Sequence, residues 1–158
     1  MDGARSAARC AAMALACALG AASAEWEEKD PGAGGRDPDY AAGRAALLRK
    51  DWDEAVQRLA RVALREPENA DVQSFIGFAH RNQGRYEAAF LHYERALAID
   101  PRHKGAHEYV GETYLKVGDV AGAERHLAEL KRLCPLSCEP LEELQRAIGA
   151  WRVKAAKP

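Results

Sequence analysis

Residues Ala70–Pro101 read ADVQSFIGFAHRNQGRYEAAFLHYERALAIDP. Ile76 and Ala79 share one face of a first helical segment. Ala89, Tyr93 and Leu97 recur every four residues along a second. Gly84 lies between the two, where a turn is needed. Pro101 cannot continue a helix and helps end the second one. The spacing predicts helices over Ala70–Gln83 and Tyr86–Ile99, with Arg85, Glu87 and Arg95 on the solvent side.

The same pattern returns on a shift of thirty-four residues in either direction. Prolines fall at Pro67, Pro101 and Pro135, and glycines at Gly43, Gly77 and Gly111. Ala55, Ala89 and Ala123 keep the register, and so do the large residues Leu59, Tyr93 and Leu127. Gly84 and Gly118 mark the turn in two units, where the first carries Lys50. Two helices of three to four turns and two short connections fill such a period. A small residue in each first helix lets the second approach, and a large residue fills the space beside it. Inward positions are then Leu47, Ala55, Leu59 and Val62 in the first unit, and Val110, Tyr114, Ala123, Leu127 and Leu130 in the third. The fold class expected is all-α, with repeats over 37–67, 70–101 and 104–135. Composition agrees: Ala, Leu, Glu and Arg abound, and β-branched residues are few.

These residues resemble the tetratricopeptide repeat family. The middle unit carries the resemblance in Ile76-Gly77, Gly84, Tyr86, Ala89, Tyr93, Ala96 and Pro101. The third carries it in Val110-Gly111, Tyr114, Gly118, Ala123, Leu127 and Pro135, and the first in Gly43, Ala55, Leu59 and Pro67. All three depart from the family pattern at its leading aromatic, where they have Asp39, Gln73 and His107; the first also has Ala46 in place of the tyrosine. The resemblance covers about residues 36–137. It implies a right-handed solenoid of three helix-turn-helix repeats.

A stack of repeats leaves a bare apolar face at its end. Residues 140–153, PLEELQRAIGAWRV, are expected to cover it as a capping helix, through the stripe Leu141, Leu144, Ile148 and Trp151. Residues 154–158 are read as a tail. Pro140, Glu142 and Glu143 suit a helix N-terminus.

The first 24 residues, MDGARSAARCAAMALACALGAASA, have the three parts of a secretory signal. Arg5 and Arg9 precede the uncharged run from Cys10 to Ala22, and Ala22-Ser23-Ala24 offers a cleavage site after Ala24. That run is too short for a comfortable membrane span. A lipid on Cys17 would leave an even shorter one, so cleavage and a periplasmic destination are the expectation. Residues 25–36, EWEEKDPGAGGR, read as a flexible linker.

Cleavage would leave only Cys134 and Cys138, in LCPLSCEP. An even pair in an exported chain points to a disulfide. Cys134 falls where earlier units carry Glu66 and Asp100, and Cys138 where they carry Ala70 and Lys104, so neither position is a core slot. Closing so short a loop is worth about 2 kcal/mol. Burying one large cap residue is worth ~1.5–3 kcal/mol. On this ground Trp151→Ala is expected to cost more than reduction.

Net charge is −1, and no Lys/Arg run alternates with aromatics, which argues against a nucleic-acid partner. No Gly-rich phosphate loop, Gly-x-Ser-x-Gly or paired acid and base is present, so neither an enzyme nor a cofactor is expected. The alternative is a copper- or zinc-handling protein using Cys134 and Cys138. Among His80, His92, His103, His107 and His126, only His103 and His107 have ligand-like spacing, so no metal site is assigned. The family resemblance implies that the first helices line a concave groove for a protein or peptide partner. Its lining is expected from Tyr40, Arg44, Ser74, Phe78, Arg81, Asn82, Glu108, Glu112 and Lys116, with Phe78 as an exposed anchor. Phe75 and Tyr109 stand where carboxylate-binding members need polar groups. Self-association through the first repeat is a further possibility.

Overall fold

A computed structural model describes residues 37–157. The expected signal and linker lie outside the described residues. Glycine or its stand-in sets the rhythm of the chain. Lys50, Gly84 and Gly118 all have positive φ, at 60°, 75° and 85°. Each closes a helix, and the next residue's N–H reaches back to a carbonyl five positions earlier: Asp51 to Ala46, Arg85 to His80, Asp119 to Tyr114. The turn therefore has one geometry in all three units, although only two have the glycine that suits it.

These turns separate the helices within α1 (Pro38–Leu48) and α2 (Trp52–Arg65), α3 (Ala70–Asn82) and α4 (Tyr86–Ile99), and α5 (Lys104–Lys116) and α6 (Val120–Leu133). Helix α7 (Glu139–Ala155) follows. No strand occurs among the described residues. The molecule is an all-α helical-repeat solenoid. Each hairpin packs on the next, and α7 lies against both α5 and α6. The C-terminal helix is longer than its periodicity implies: Lys154 and Ala155, expected in the tail, are helical.

Most helices start on a side chain that accepts the orphan amides of the first turn: Asp37, Asp51, Asn69, His103 and Asp119. Helix α7 has no such cap, although Pro140 and the acidic Glu139 and Glu142 favour its start.

The expected inward residues fill the core. Leu59, Ile76 and Tyr93 are buried, while Leu97, Tyr114 and Leu127 are half-buried. A Cβ on Gly43 would meet Leu59 at 2.7 Å, and one on Gly77 would meet Tyr93 at 2.6 Å. The third unit breaks the symmetry. The nearest atoms to a Cβ on Gly111 belong to Leu144 of α7, at 2.5 Å, rather than to Leu127. The cap thus plugs the last glycine notch itself. Leu144 is fully buried with Leu141 and Ile148, whereas Trp151 is only half-buried. The weight that the sequence places on Trp151 belongs to Leu144.

The position where the leading aromatic is missing holds a polar pair instead. Asp39 accepts from Arg58 at 3.1 Å, Gln73 pairs with His92 at 2.9 Å, and His107 pairs with His126 at 3.0 Å. Each pair spans 19 residues and ties the first helix of a repeat to the second. In the first unit the Arg58 guanidinium, followed by Arg65, holds the Asp39 carboxyl below the usual carboxylate range. Arg65 does the same for Asp37.

Cys134 and Cys138 are joined in the structure, with Cα atoms 5.9 Å apart. Cys134 is buried among the α7 contacts, a core position that its predecessors Glu66 and Asp100 do not foretell. Leu136, at the tip of the closed loop, is 96% exposed.

Candidate functional site

Helices α3, α5 and α7 run side by side, so their residues share one wall. Along it the side chains form alternating layers of ring and guanidinium. Arg44 lies 4.8 Å over the Phe75 ring and donates to the Tyr40 hydroxyl at 3.3 Å. Tyr40 and Phe75 are themselves 6.4 Å apart. One repeat on, Arg81 lies 4.9 Å over Phe78 and 5.4 Å over Tyr109. Cation–ring contacts of this kind position the guanidinium and shield it from water.

Phe78 is therefore not a free anchor. It is half-buried, its ring 5.1 Å from Tyr109 and 5.9 Å from Trp52. A helical wheel places it off the core stripe but does not show that α2 and α5 close over it. Ser74 is buried, 1% exposed, and reaches no groove surface. Arg81 is ion-paired to Glu112, and its side chain is only 10% exposed. Asn82 donates to the Phe78 carbonyl at 2.8 Å at the end of α3, while Lys116 is exposed.

Glu108 sits in the same wall. Burial, then the neighbouring Glu112 charge, pushes its carboxyl up to about 8. Glu143 and Glu139 of α7 act in the same sense. The wall consequently carries less negative charge near neutral pH than the sequence indicates.

Where α3, α5 and α7 end, the wall opens into a cleft of about 1160 Å³. It gathers Arg81, Asn82, Glu112 and Lys116 from the expected set, and leaves out Tyr40, Arg44, Ser74, Phe78 and Glu108. It adds Leu115, Trp151 and Lys154. Sequence reasoning misses the last two because it treats α7 only as a cover. Their spacing of three residues on an amphipathic helix is the available signal. Trp151 gives the cleft a half-exposed ring, and Lys116 and Lys154 add two exposed cations. The arrangement is chemically suited to holding an apolar side chain beside an anionic group.

One tetratricopeptide repeat model matches residues 40–104 and a second matches residues 80–134. The chain belongs to the tetratricopeptide repeat family. A thioredoxin from Arabidopsis thaliana, "TPR repeat-containing thioredoxin TTL4", is 29% identical over 123 residues, which is 70% of this repeat protein. The chain spans 18% of that relative's length. Among solved structures, the TPR2B domain of yeast Sti1, in complex with pHsp70, superposes with a TM-score of 0.67 at 18% identity. That match covers 73% of this chain and 94% of the other. The first such domain of Spaghetti (RPAP3), bound to the HSP90 peptide SRMEEVD, gives 0.61 at 17% identity, covering 70% and 87%. These likenesses show the fold.

The histidines do not gather as ligands. Among the described residues no group of three His, Cys, Asp or Glu side chains is placed to hold a metal. His103 faces Asp71 at 2.9 Å and His107 faces His126, so their sequence spacing does not make a shared site.

Proposed function

We propose that this repeat protein is a non-catalytic, exported scaffold whose cleft at the ends of α3, α5 and α7 holds a peptide segment of a protein partner. The observation that carries the reading is the grouping of the Trp151 ring with Lys116 and Lys154 in one open cleft. Structural neighbours in the family hold short peptides, which supports a peptide as the class of ligand. Charge complementarity argues for a segment with an acidic group beside an apolar side chain. The metal-handling alternative has little to work with, because the sulfurs of Cys134 and Cys138 are bonded to each other.

Selection from a random peptide library tests the cleft. Enrichment of acidic residues next to an apolar one is expected. Binding of the selected peptides should fall at least about tenfold in the Lys116→Glu/Lys154→Glu variant, the equivalent of roughly 1.4 kcal/mol. Peptides that bind that variant and the parent equally would remove the cleft from the proposal. Export has its own measurement. The intact mass of protein recovered from a bacterial periplasm should correspond to a chain starting at Glu25 and lacking two hydrogens. A chain retaining Met1 and both thiols would overturn the secreted, oxidised state.

A further inference from the structure

The third repeat differs from the others in closing its polar slot with two imidazoles. Their proton positions follow from their partners. His107 Nε2 lies 3.1 Å from the Pro101 carbonyl oxygen, which only accepts, so Nε2 carries the proton. In neutral His107 the Nδ1 atom is then a bare acceptor. The bond across to His126 Nδ1, at 3.0 Å, therefore takes its proton from His126. One proton bridges the two helices. A first added proton still leaves one acceptor nitrogen between the rings, and the bond stays in place. A second leaves both facing nitrogens protonated, sets two cations within one contact, and the bond is lost.

His103, at the start of the same helix, is used in the same way. Its Nδ1 accepts the Ala106 amide at 3.0 Å, and its Nε2 faces Asp71. Protonation of Nδ1 would remove that cap too. In the middle repeat the bond itself survives protonation. His92 pairs with the Gln73 amide oxygen, and an added proton on its other nitrogen leaves that bond intact. The first repeat uses Asp39 and Arg58, and the guanidinium holds the Asp39 carboxyl below its usual range.

We infer that the His107–His126 pair is an acid-sensitive latch on the third hairpin, which closes α5 on α6 at neutral pH and opens when both rings are protonated. His107 is buried and His126 half-buried, with the Tyr114 ring stacked 5.7 Å from His126. Arg125 and Glu129 act on His126 in opposite senses. Burial, then His107, holds His126 down to about 4. The folded state therefore takes up the proton less readily than the unfolded chain. The stability it confers is complete above the ordinary histidine range near 6.5 and is lost as pH falls from there toward about 4. His92 is depressed in the same direction, to about 4. Glu108 works oppositely, since its raised carboxyl favours the folded state as pH falls from about 8. The Glu124–Arg152 pair ties α6 to α7 as a separate contact. Global stability sums these effects, so the latch must be read locally. Because α7 rests on both α5 and α6, opening the latch also loosens the seat of the cap.

The test is amide hydrogen exchange on the full chain at about pH 7.5 and about pH 5, either side of the histidine range, with rates corrected for intrinsic exchange. His107→Gln recreates the amide–imidazole pair of the middle repeat. The parent protein should lose about tenfold more protection in α5 and α6 than in α1 and α2 on acidification. The variant should lose less, since its imidazole takes a proton without breaking the bond, while the part of the loss that comes from burial is common to both. The His103 cap is common to both, so the difference isolates the pair. Equal losses in parent and variant, or no loss in the parent, would overturn the latch. If His107→Gln does not fold, His126→Gln supplies the amide from the other side and is read in the same way. Imidazole nitrogen spectra of the parent at neutral pH should show His107 protonated at Nε2 alone; a proton on its Nδ1 would refute the assignment independently.

Discussion

Replacing Tyr93 with alanine is expected to lower the unfolding free energy by about 3–5 kcal/mol, the range for truncating a buried aromatic side chain. The ring is fully buried between α3, α4 and α5, in a cluster with Ala89 and Val110. It fills the notch that Gly77 leaves in α3, so that a Cβ at that position would lie 2.6 Å from the ring. Its hydroxyl is buried beside Thr113 without a well-formed hydrogen bond, and Thr113 gives its own proton to the Tyr109 carbonyl. Burial pushes the phenol far above its ordinary range. Tyr93→Phe should therefore stay within about 1 kcal/mol of the parent, since a hydroxyl with no well-formed bond contributes little to lose. Gly77→Ala should cost about 1–3 kcal/mol through overpacking against the immobile ring. The double variant Gly77→Ala/Tyr93→Ala should cost less than the sum, because the clash disappears with the ring. Urea titrations of the four proteins would measure this. Strict additivity would mean that the glycine and the ring do not share a contact, and the packing rule carried by their repeat would fail with it.

That rule is legible in the sequence because repeats impose it several times over. Gly43, Gly77 and Gly111 align by spacing alone, and the large partners Leu59 and Tyr93 lie where that alignment puts them. What one period cannot show is how a unit ends. Leu127 has the right address to fill the third notch, yet Leu144 from outside the repeat is nearer. The signal for that substitution has to come from α7, whose apolar stripe is visible in the sequence but whose depth of insertion is not. The groove is less legible for a related reason. Phe78 lies off the core stripe of its own helix, so a single-helix wheel assigns it to solvent. Its burial comes from Trp52 and Tyr109, one on the preceding helix and one on the next repeat. The polar pairs that replace the missing aromatics are hidden for the same cause. Asp39, Gln73 and His107 stand out as departures from the family pattern, but each acquires meaning only from a residue on the opposing helix.

Leu144→Ala is expected to cost about 2–5 kcal/mol, more than the roughly 2 kcal/mol that the chain-entropy relation assigns to the short loop closed by Cys134 and Cys138. The leucine is fully buried and fills the notch at Gly111, where the last hairpin would otherwise face water. The disulfide acts differently. It restricts the turn that feeds α7 but adds no apolar area of its own beyond Cys134. Trp151→Ala should fall below Leu144→Ala, because its ring is half-exposed in the cleft and gives up less burial when truncated. The experiment pairs denaturation of Leu144→Ala, Trp151→Ala and the reduced parent with hydrogen exchange in α7. A cap held by its plug predicts that Leu144→Ala strips protection from α7 while reduction leaves most of it. If reduction instead costs more than Leu144→Ala, the helix is held by its covalent hinge, and the glycine notch at the end of the stack is filled without contributing to stability. The physical expectation favours the plug. A short loop has little entropy to lose when it is closed, whereas an unfilled notch loses its contacts on every side at once.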